Sequence, residues 1–239
     1  MVAQNAAVCG ERAVSDPPRE STQTAHARRI QADYGRWAAI YDWFARATSS
    51  VGGVRSGSIS ALGLSDGDTV VEFGCGPGPN LPALREAVGP SGHVVGVDIT
   101  RPMLTRARAL VTRRGWENVS LVHGDATAPP VREADAVLAT FVTSLFPDPY
   151  AVVSGWCDLA DTVVLANFVP QGNRAANAAL WLFTQLNPPL FDSVRRDTLG
   201  QLDRRTGATR RALVDKLGRV ETDRYVFGIV SVNAGYREQ

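Results

Sequence analysis

The stretch that decides the fold is Val70-Val71-Glu72-Phe73-Gly74-Cys75-Gly76-Pro77-Gly78-Pro79-Asn80. Its first four residues are typical of a buried β-strand, and the residues from Leu81 to Val88 predict a helix directly after it. Glycine stands at every second position of the turn between them. Because glycine has no Cβ, main-chain N–H groups can approach a ligand closely at the carboxyl end of the strand. The stretch therefore predicts a strand, a ligand-binding turn and a helix in succession.

The residues in and around the glycine turn disfavour two common phosphate-binding loops. The dinucleotide fingerprint G-x-G-x-x-G requires glycine at position 79, where Pro79 stands. The phosphate loop ends in Gly-Lys-Ser/Thr, but the only lysine of the chain is Lys216. Glu72 precedes the first glycine by two positions, and a carboxylate there would repel phosphate but suit a ligand with an ammonium and a sulfonium.

The residues Glu72, Gly74, Gly76 and Gly78 resemble the first motif of the class I S-adenosylmethionine-dependent methyltransferases, an acidic residue followed by x-G-x-G-x-G. The resemblance implies S-adenosyl-L-methionine as the cofactor. It also implies a Rossmann-like α/β fold with a seven-stranded, mostly parallel sheet in the order 3-2-1-4-5-7-6, flanking helices and a C-terminal antiparallel hairpin. The alternation of strands and helices along the chain favours a parallel sheet by itself.

Two later acids stand at the ends of predicted strands. Asp98 closes the strand predicted from His93, at the place where a ribose would present its hydroxyls to a carboxylate. The alternative is a cap on the helix predicted for Arg101–Arg114. The resemblance implies that Asp125 bonds the adenine amino group while the backbone of Ala126 meets the ring. A plain turn aspartate is the alternative for Asp125.

Further cofactor-site residues follow from the resemblance. Met103 would pack near the adenine, with core filling as the alternative. The other predicted contacts lie in the glycine turn and at the ends of the second and fourth predicted strands, namely Cys75, Ile99, Thr140 and Phe141.

The sequence does not identify a catalytic residue, and it contains no triad or metal-ligand pattern. Methyl transfer from a sulfonium is an in-line displacement with a neutral leaving group, so alignment and exclusion of water supply much of the rate. A base is needed only for a phenol, an acidic carbon or a charged amine. Tyr41, Asp42 and His123 are candidates by position; for His123 the alternative is an ordinary side chain at a strand end.

The N-terminal region divides into two predicted parts. Residues 1–28 are polar, contain Pro17-Pro18 and lack a periodic apolar face, which predicts a disordered tail before one domain at 29–239. Within 29–60 we predict an aromatic helix from Ile30 to about Ala47, as a lid over the ligand or a core-facing helix. Its Tyr34, Tyr41 and Asp42 resemble the aromatic and Tyr-Asp signature of the ubiquinone/menaquinone C-methyltransferase (methyltransferase type 11) group.

The C-terminal region predicts an elaboration and a hairpin. Residues 168–207 carry more apolar side chains than a connector needs, and we predict a helical elaboration on the substrate side, with plain packing as the alternative. A helix is predicted for Thr209–Leu217. Two strands are predicted after it, at Arg219–Val226 and Gly228–Tyr236.

Composition limits the partners. The chain has 239 residues and a formal net charge of +1, so no overall field draws it to nucleic acid. Cys9, Cys75 and Cys157 are too few and too scattered for a disulfide framework or a zinc site. No apolar run approaches the roughly 18 residues that span a bilayer. We expect a cytoplasmic protein whose membrane contact, if any, is peripheral and through its substrate.

Three functions are therefore weighed. The first is a methyltransferase acting on a small, lipophilic acceptor such as a quinone-like ring or a lipid amine. The second is an NAD-dependent oxidoreductase, against which Pro79 speaks. The third is a non-catalytic protein that binds S-adenosylmethionine. The sequence defines neither the acceptor atom nor the oligomeric state.

Overall fold

The computed structural model describes residues 53–170, 177–178, 180–182 and 197–238. The predicted tail at 1–28 and the predicted aromatic helix, with Tyr41 and Asp42, lie outside the described residues. So does most of the predicted substrate-side elaboration.

Twelve helices and strands of the described residues have defined bounds. In chain order they are α1 (Val54–Ser60), β1 (Thr69–Phe73), α2 (Leu81–Val88), β2 (His93–Asp98), α3 (Arg101–Arg114), β3 (Val119–His123), β4 (Ala136–Thr140), α4 (Pro149–Cys157), β5 (Thr162–Phe168), α5 (Thr198–Leu217), β6 (Gly218–Tyr225) and β7 (Val230–Arg237). A short 3-10 turn, Thr143–Leu145, lies between β4 and α4.

The strands make one sheet in the order β3-β2-β1-β4-β5-β7-β6. Strands β1 to β5 are parallel to their neighbours, whereas β7 pairs antiparallel with both β5 and β6. The predicted fold class and strand order are therefore confirmed. In a sheet of this kind, ligands bind outside the carboxyl ends of the parallel strands, near the point where the strand order reverses beside β1.

Helices cover both faces of the sheet and bury a separate apolar layer on each. In β1, Val70 belongs to the layer beneath α2, while Phe73 belongs to the layer beneath α4 and α5. This alternation follows from the two-residue period of a strand. Trp156 of α4 is fully buried and stacks on Phe73 with ring centroids 4.7 Å apart. The two layers fix β1, and with it the turn that follows.

The predicted start of the last helix is wrong. The sequence predicts a helix from Thr209, but α5 begins at Thr198, eleven residues earlier. The glycines at 200 and 207 lower the helix propensity of this stretch and hide its start. Two compensations hold the helix: the side chain of Asp197 accepts a hydrogen bond from Gly200 N, and a buried face includes Leu202.

The remaining boundaries shift by smaller amounts. Strand β6 ends at Tyr225 and β7 resumes at Val230, so the predicted second strand of the hairpin begins two residues too early. The predicted elaboration at 168–207 starts on the last residue of β5 and ends inside α5. No helix among the described residues combines the length and apolar character needed to cross a membrane.

Candidate active site

The turn after β1 is built by glycines in the left-handed region. Gly74, Gly76 and Gly78 have φ of 71°, 55° and 83°. The turn is fastened to the next strand, because Gly74 N and Cys75 N both donate to Val97 O, at 2.8 and 3.1 Å. The strand, turn and helix predicted from the sequence are all present.

The three glycines differ in what surrounds them. A Cβ at Gly74 would lie 2.9 Å from the Val142 side chain, and one at Gly78 would lie 2.6 Å from Leu81 Cδ1. At Gly76 a Cβ would meet no atom within 4 Å. Packing therefore explains two of the glycines, whereas Gly76 faces open space in which a ligand can reach the backbone.

Asp98 binds the same turn. Its Oδ2 accepts a hydrogen bond from Gly76 N at 2.8 Å, and its Oδ1 accepts from Thr100 N at 2.8 Å and from Thr100 Oγ1. Burial raises the pKa of this carboxyl, against the bonds from Thr100 and Gly76, which lower it. The helix-cap alternative is not borne out, because the N-cap of α3 is Thr100, no side chain caps the helix, and Asp98 bonds Thr100 rather than the first amides of the helix. The hydrogen bond from Gly76 N places the Asp98 carboxylate beside the open backbone.

A buried polar network supports the other side of the turn. Asn80 Nδ2 donates to Glu72 Oε1 at 2.6 Å and to Thr140 Oγ1 at 3.2 Å, while Asn80 Oδ1 accepts from Arg55 Nε at 2.8 Å. Glu72 is 1% exposed, and its Oε2 is buried without a hydrogen-bond partner. Burial raises the pKa of Glu72 to about 8, although the Asn80 bond and the charge of Arg55 lower it. The role of Asn80 was not predicted, because an asparagine before a helix suggests only a helix cap.

The second predicted acid lies at the same edge of the sheet. Asp98 pairs in register with His123, the last residue of β3, and Asp125 follows two positions later. Asp125 Oδ1 accepts from Thr127 N and Thr127 Oγ1, both at 2.8 Å, which makes the turn-type contact weighed above. The carbonyl of Ala126 accepts from Trp156 Nε1 at 2.8 Å.

Three further predicted residues have defined places. Met103 is 1% exposed and packs in the core beneath α3, which is the alternative weighed for it. The exposed His123 places Nε2 2.9 Å from the carbonyl of Ile99. Since a carbonyl only accepts, Nε2 is the donor there, and Nδ1 is the ring atom that can take up a proton. Cys75 is buried, and burial raises the pKa of its thiol well above the usual range.

The carboxyl ends of β4 and β5 bring the predicted Phe141 together with residues that the sequence did not indicate. Phe141 has φ of 61°, unusual for a bulky residue, and its ring stacks on Phe168 with centroids 4.4 Å apart. Behind this pair, Thr143 Oγ1 bonds Asn167 Oδ1, and Asn167 Nδ2 is buried without a partner. No group of three or more His, Cys, Asp or Glu among the described residues is arranged to hold a metal ion.

A protein-family model described as a methyltransferase domain matches residues 70–159, from β1 through α4. The strand order, the acidic residue and the glycine turn agree with this match, so residues 70–159 are similar to a methyltransferase domain.

Curated relatives match over part of their length. Aklanonic acid methyltransferase of Streptomyces sp. (strain C5) is 36% identical over 40% of this chain and 44% of its own. Nocamycin O-methyltransferase of Saccharothrix syringae is 36% identical over 53% of this chain and 45% of its own. A demethylmenaquinone methyltransferase of Anoxybacillus flavithermus is 38% identical over 32% of each. The chain thus spans less than half the length of these relatives.

Solved structures share the fold at low sequence identity. Magnesium protoporphyrin IX methyltransferase from Synechocystis, solved with bound S-adenosylhomocysteine, has a TM-score of 0.61 and 17% identity, covering 89% of this chain and 100% of that chain. A putative methyltransferase in complex with Haloferax volcanii Trm112 has a TM-score of 0.64 and 17% identity, covering 88% and 98%.

Proposed function

We propose that this protein transfers a methyl group from S-adenosylmethionine to a small, lipophilic acceptor. The observation that carries the proposal is the open backbone at Gly76 beside the carboxylate of Asp98. A Cβ would fill that space, so the turn is suited to a ligand that lies against the main chain. S-adenosylmethionine supplies an activated methyl group when it is bound.

The residues around the turn suit the parts of this cofactor. We assign the ribose hydroxyls to Asp98 and the adenine edge to Asp125 and Ala126, at the ends of adjacent strands. The positive charges of the ligand's ammonium and sulfonium would favour the ionised form of Glu72, whose pKa is raised in the ligand-free fold and whose Oε2 has no hydrogen-bond partner. Asn80 holds the Glu72 carboxyl in place.

The lipophilic nature of the acceptor is inferred from the ends of β4 and β5. Phe141 and Phe168 form a stacked pair there, at the edge where ligands bind in such sheets. Backbone strain at a non-glycine residue is often found at functional sites, and Phe141 carries it. The three relatives are named for aklanonic acid, nocamycin and demethylmenaquinone, which supports a small-molecule acceptor.

The chain itself would then act mainly by orientation. Aligning an acceptor with the methyl group and excluding water can supply roughly 7–11 kcal/mol of the barrier reduction. If the acceptor must lose a proton, His123 Nδ1 is a candidate base among the described residues, with Tyr41 the candidate outside them. The exposed position of His123 suits proton exchange with water.

Calorimetry with S-adenosylmethionine and S-adenosylhomocysteine tests the cofactor, with NADH as the comparison ligand. We expect both adenosyl ligands to bind and NADH to fail. A panel of quinone-like phenols and amine lipids, assayed with radiolabelled S-adenosylmethionine, then tests the acceptor. Binding without methyl transfer to any acceptor would favour a non-catalytic protein, and tight NADH binding alone would favour an oxidoreductase.

A further inference from the structure

Glu72 is buried on the face of β1 that meets helix α2. Val70, two residues earlier in the strand, belongs to the apolar layer beneath α2, and the two-residue period of a strand directs Glu72 to the same face. The Glu72 side chain is 1% exposed. A carboxyl group at such a position loses its contact with water, which disfavours its ionised form.

The hydrogen bonds of Glu72 replace only part of that water. Its Oε1 accepts a hydrogen bond from Asn80 Nδ2 at 2.6 Å, but its Oε2 is buried and has no hydrogen-bond partner. The same Asn80 amide also donates to the neutral Thr140 Oγ1 of β4, at 3.2 Å. An ionised carboxylate accepts hydrogen bonds at both of its oxygens. Because an unpaired neutral hydroxyl costs less than an unpaired buried charge, this one-sided arrangement suits the protonated carboxyl.

Titratable side chains surround Glu72 from α1, from the end of β2 and from the glycine turn. The charge of Arg55 in α1 lowers the pKa of Glu72, and the charge of Asp98 at the end of β2 raises it. Cys75, in the turn, is a buried thiol whose pKa is raised. His123 at the end of β3 acts on Asp98. Burial is the largest influence and raises the pKa of Glu72 to about 8, so at pH 7 most of the ligand-free protein holds a proton there.

We propose that Glu72 gives up a proton when S-adenosylmethionine or S-adenosylhomocysteine binds. The inference rests on the proposed function, in which a ligand that carries an ammonium occupies the seat beside the glycine turn. A positive charge brought near a buried acid favours its ionised form. The O–H bond of the carboxyl breaks, the electron pair stays on oxygen and the proton passes to water. Binding is therefore weaker at low pH, where this proton has to be displaced, and it tightens as the pH rises towards 8.

Calorimetry in buffers of different ionisation enthalpy counts the protons released. The binding enthalpy of S-adenosylhomocysteine is measured at pH 7 in phosphate, imidazole and other buffers, and its slope against the ionisation enthalpy of the buffer gives the protons exchanged per ligand. We expect the release of about one proton, because a group with a pKa of about 8 is mostly protonated at pH 7. The ligand's own amino group is already charged at this pH. Zero exchange or proton uptake would overturn the proposal.

A ligand without the ammonium is the matched control on the unmodified protein. 5′-Methylthioadenosine has the same adenosine and a thioether, but no amino-acid part. We expect it to bind without proton release. Since its ribose would meet Asp98, and through it His123, in the same way, release with this ligand would trace the proton to another group and overturn the proposal.

The variant Glu72→Gln keeps the shape of the side chain but has no proton to release. Between pH 6 and pH 7 we expect the dissociation constant of S-adenosylhomocysteine to fall about tenfold in the unmodified protein and to stay constant in Glu72→Gln. Glu86→Gln, which removes a carboxylate from an exposed position of α2, should behave like the unmodified protein. Undiminished proton release by Glu72→Gln would overturn the proposal.

Thermal unfolding checks that both variants keep the fold. If Glu72→Gln does not fold or does not bind, the comparison of the two ligands on the unmodified protein still decides. The unmodified protein also separates this inference from the proposed function. Failure of S-adenosylhomocysteine to bind would end both proposals, whereas binding without proton release would end only the present one.

Discussion

The sheet has two halves, a first side with β1 to β3 and a second side with β4 to β7, and they differ in which residues take left-handed backbone in their turns. On the first side, β1 to β3, the left-handed positions described here fall on glycines, including all three in the turn after β1. On the second side, β4 to β7, left-handed positions also fall on Phe141, Val226 and Phe227. Left-handed backbone costs a non-glycine residue roughly 1–2 kcal/mol. On the first side the residue type, glycine, therefore permits the left-handed turns. On the second side packing must stabilise left-handed backbone at non-glycine residues.

The largest expected effect concerns an electrostatic cost on the first side, the burial of the Glu72 carboxyl. The pKa of Glu72 is raised from 4.5 to about 8 in the fold, so folding favours the protonated carboxyl. Its stabilising contribution is complete below about 4.5 and is lost as the pH rises towards 8. Within that window, one such proton changes the free energy of unfolding by up to about 1.4 kcal/mol per pH unit.

We expect Glu72→Gln to remove this dependence. Urea unfolding of the ligand-free protein at several pH values from 5 to 8 would show a flatter profile for the variant than for the unmodified protein. Identical slopes of unfolding free energy against pH would mean that Glu72 is ionised in the folded protein across this pH range. The electrostatic cost on the first side would then not exist. Glu117→Gln, a change at an exposed site, is the matched control.

The next effect concerns ligand binding on the first side. Asp98→Ala removes the acceptor for Gly76 N and a proposed partner of the ribose. We expect the dissociation constant of S-adenosylhomocysteine to rise by the equivalent of about 1.5–3 kcal/mol, as for a hydrogen bond to a charged group. Calorimetry measures it, with Asp98→Asn as the variant that keeps one acceptor oxygen. An unchanged dissociation constant would refute the ribose assignment. Asp98 would then serve only to stabilise the turn.

These two residues show what the sequence can predict. Glu72 and Asp98 belong to a local pattern in which an acid, glycines and a strand end have fixed spacing, so the sequence predicts their positions. The strand order was implied only by the family resemblance that this pattern carries. The start of α5 was missed because local propensity is weak around Gly200, and tertiary burial of Leu202 decides it. The resemblance implies Phe141 as a site residue, but no local signal predicts its left-handed backbone or its stacking on Phe168, which is distant in sequence.

The third prediction concerns a buried polar pair on the second side. Thr143 and Asn167 are each 1% exposed, and Thr143 Oγ1 bonds Asn167 Oδ1. Thr143→Val leaves the amide with neither end paired, and we expect a loss of about 1–3 kcal/mol in the free energy of unfolding. Thr143→Val/Asn167→Leu should lose less, because both polar partners are gone. Chemical denaturation measures the free energy of unfolding of both variants. A double variant less stable than Thr143→Val would contradict this explanation.

The smallest effect tests the backbone strain itself. Val226 and Phe227 have φ of 52° and 53° and, with Gly228 at 81°, lie in the loop 226–229 between the paired residues Tyr225 and Val230. Gly228 N donates to Tyr225 O at 2.8 Å within this loop. Glycine adopts left-handed backbone at little cost, and asparagine adopts it more readily than most other side chains. Phe227 is 93% exposed, so its ring gives little packing in return for the strain.

We therefore expect Val226→Asn/Phe227→Gly to stabilise the fold by about 1 kcal/mol, a net gain smaller than the strain released because glycine adds entropy to the unfolded chain. Thermal unfolding should show a rise of roughly 2–4 °C for a domain of this size. Gly76→Ala is the counterpart on the first side: it adds a side chain to a left-handed glycine without a clash, so it should destabilise by a similar amount. If both variants destabilised the protein, the hairpin side chains would be contributing contacts that outweigh their strain, and the contrast between the two sides of the sheet would fail at this turn.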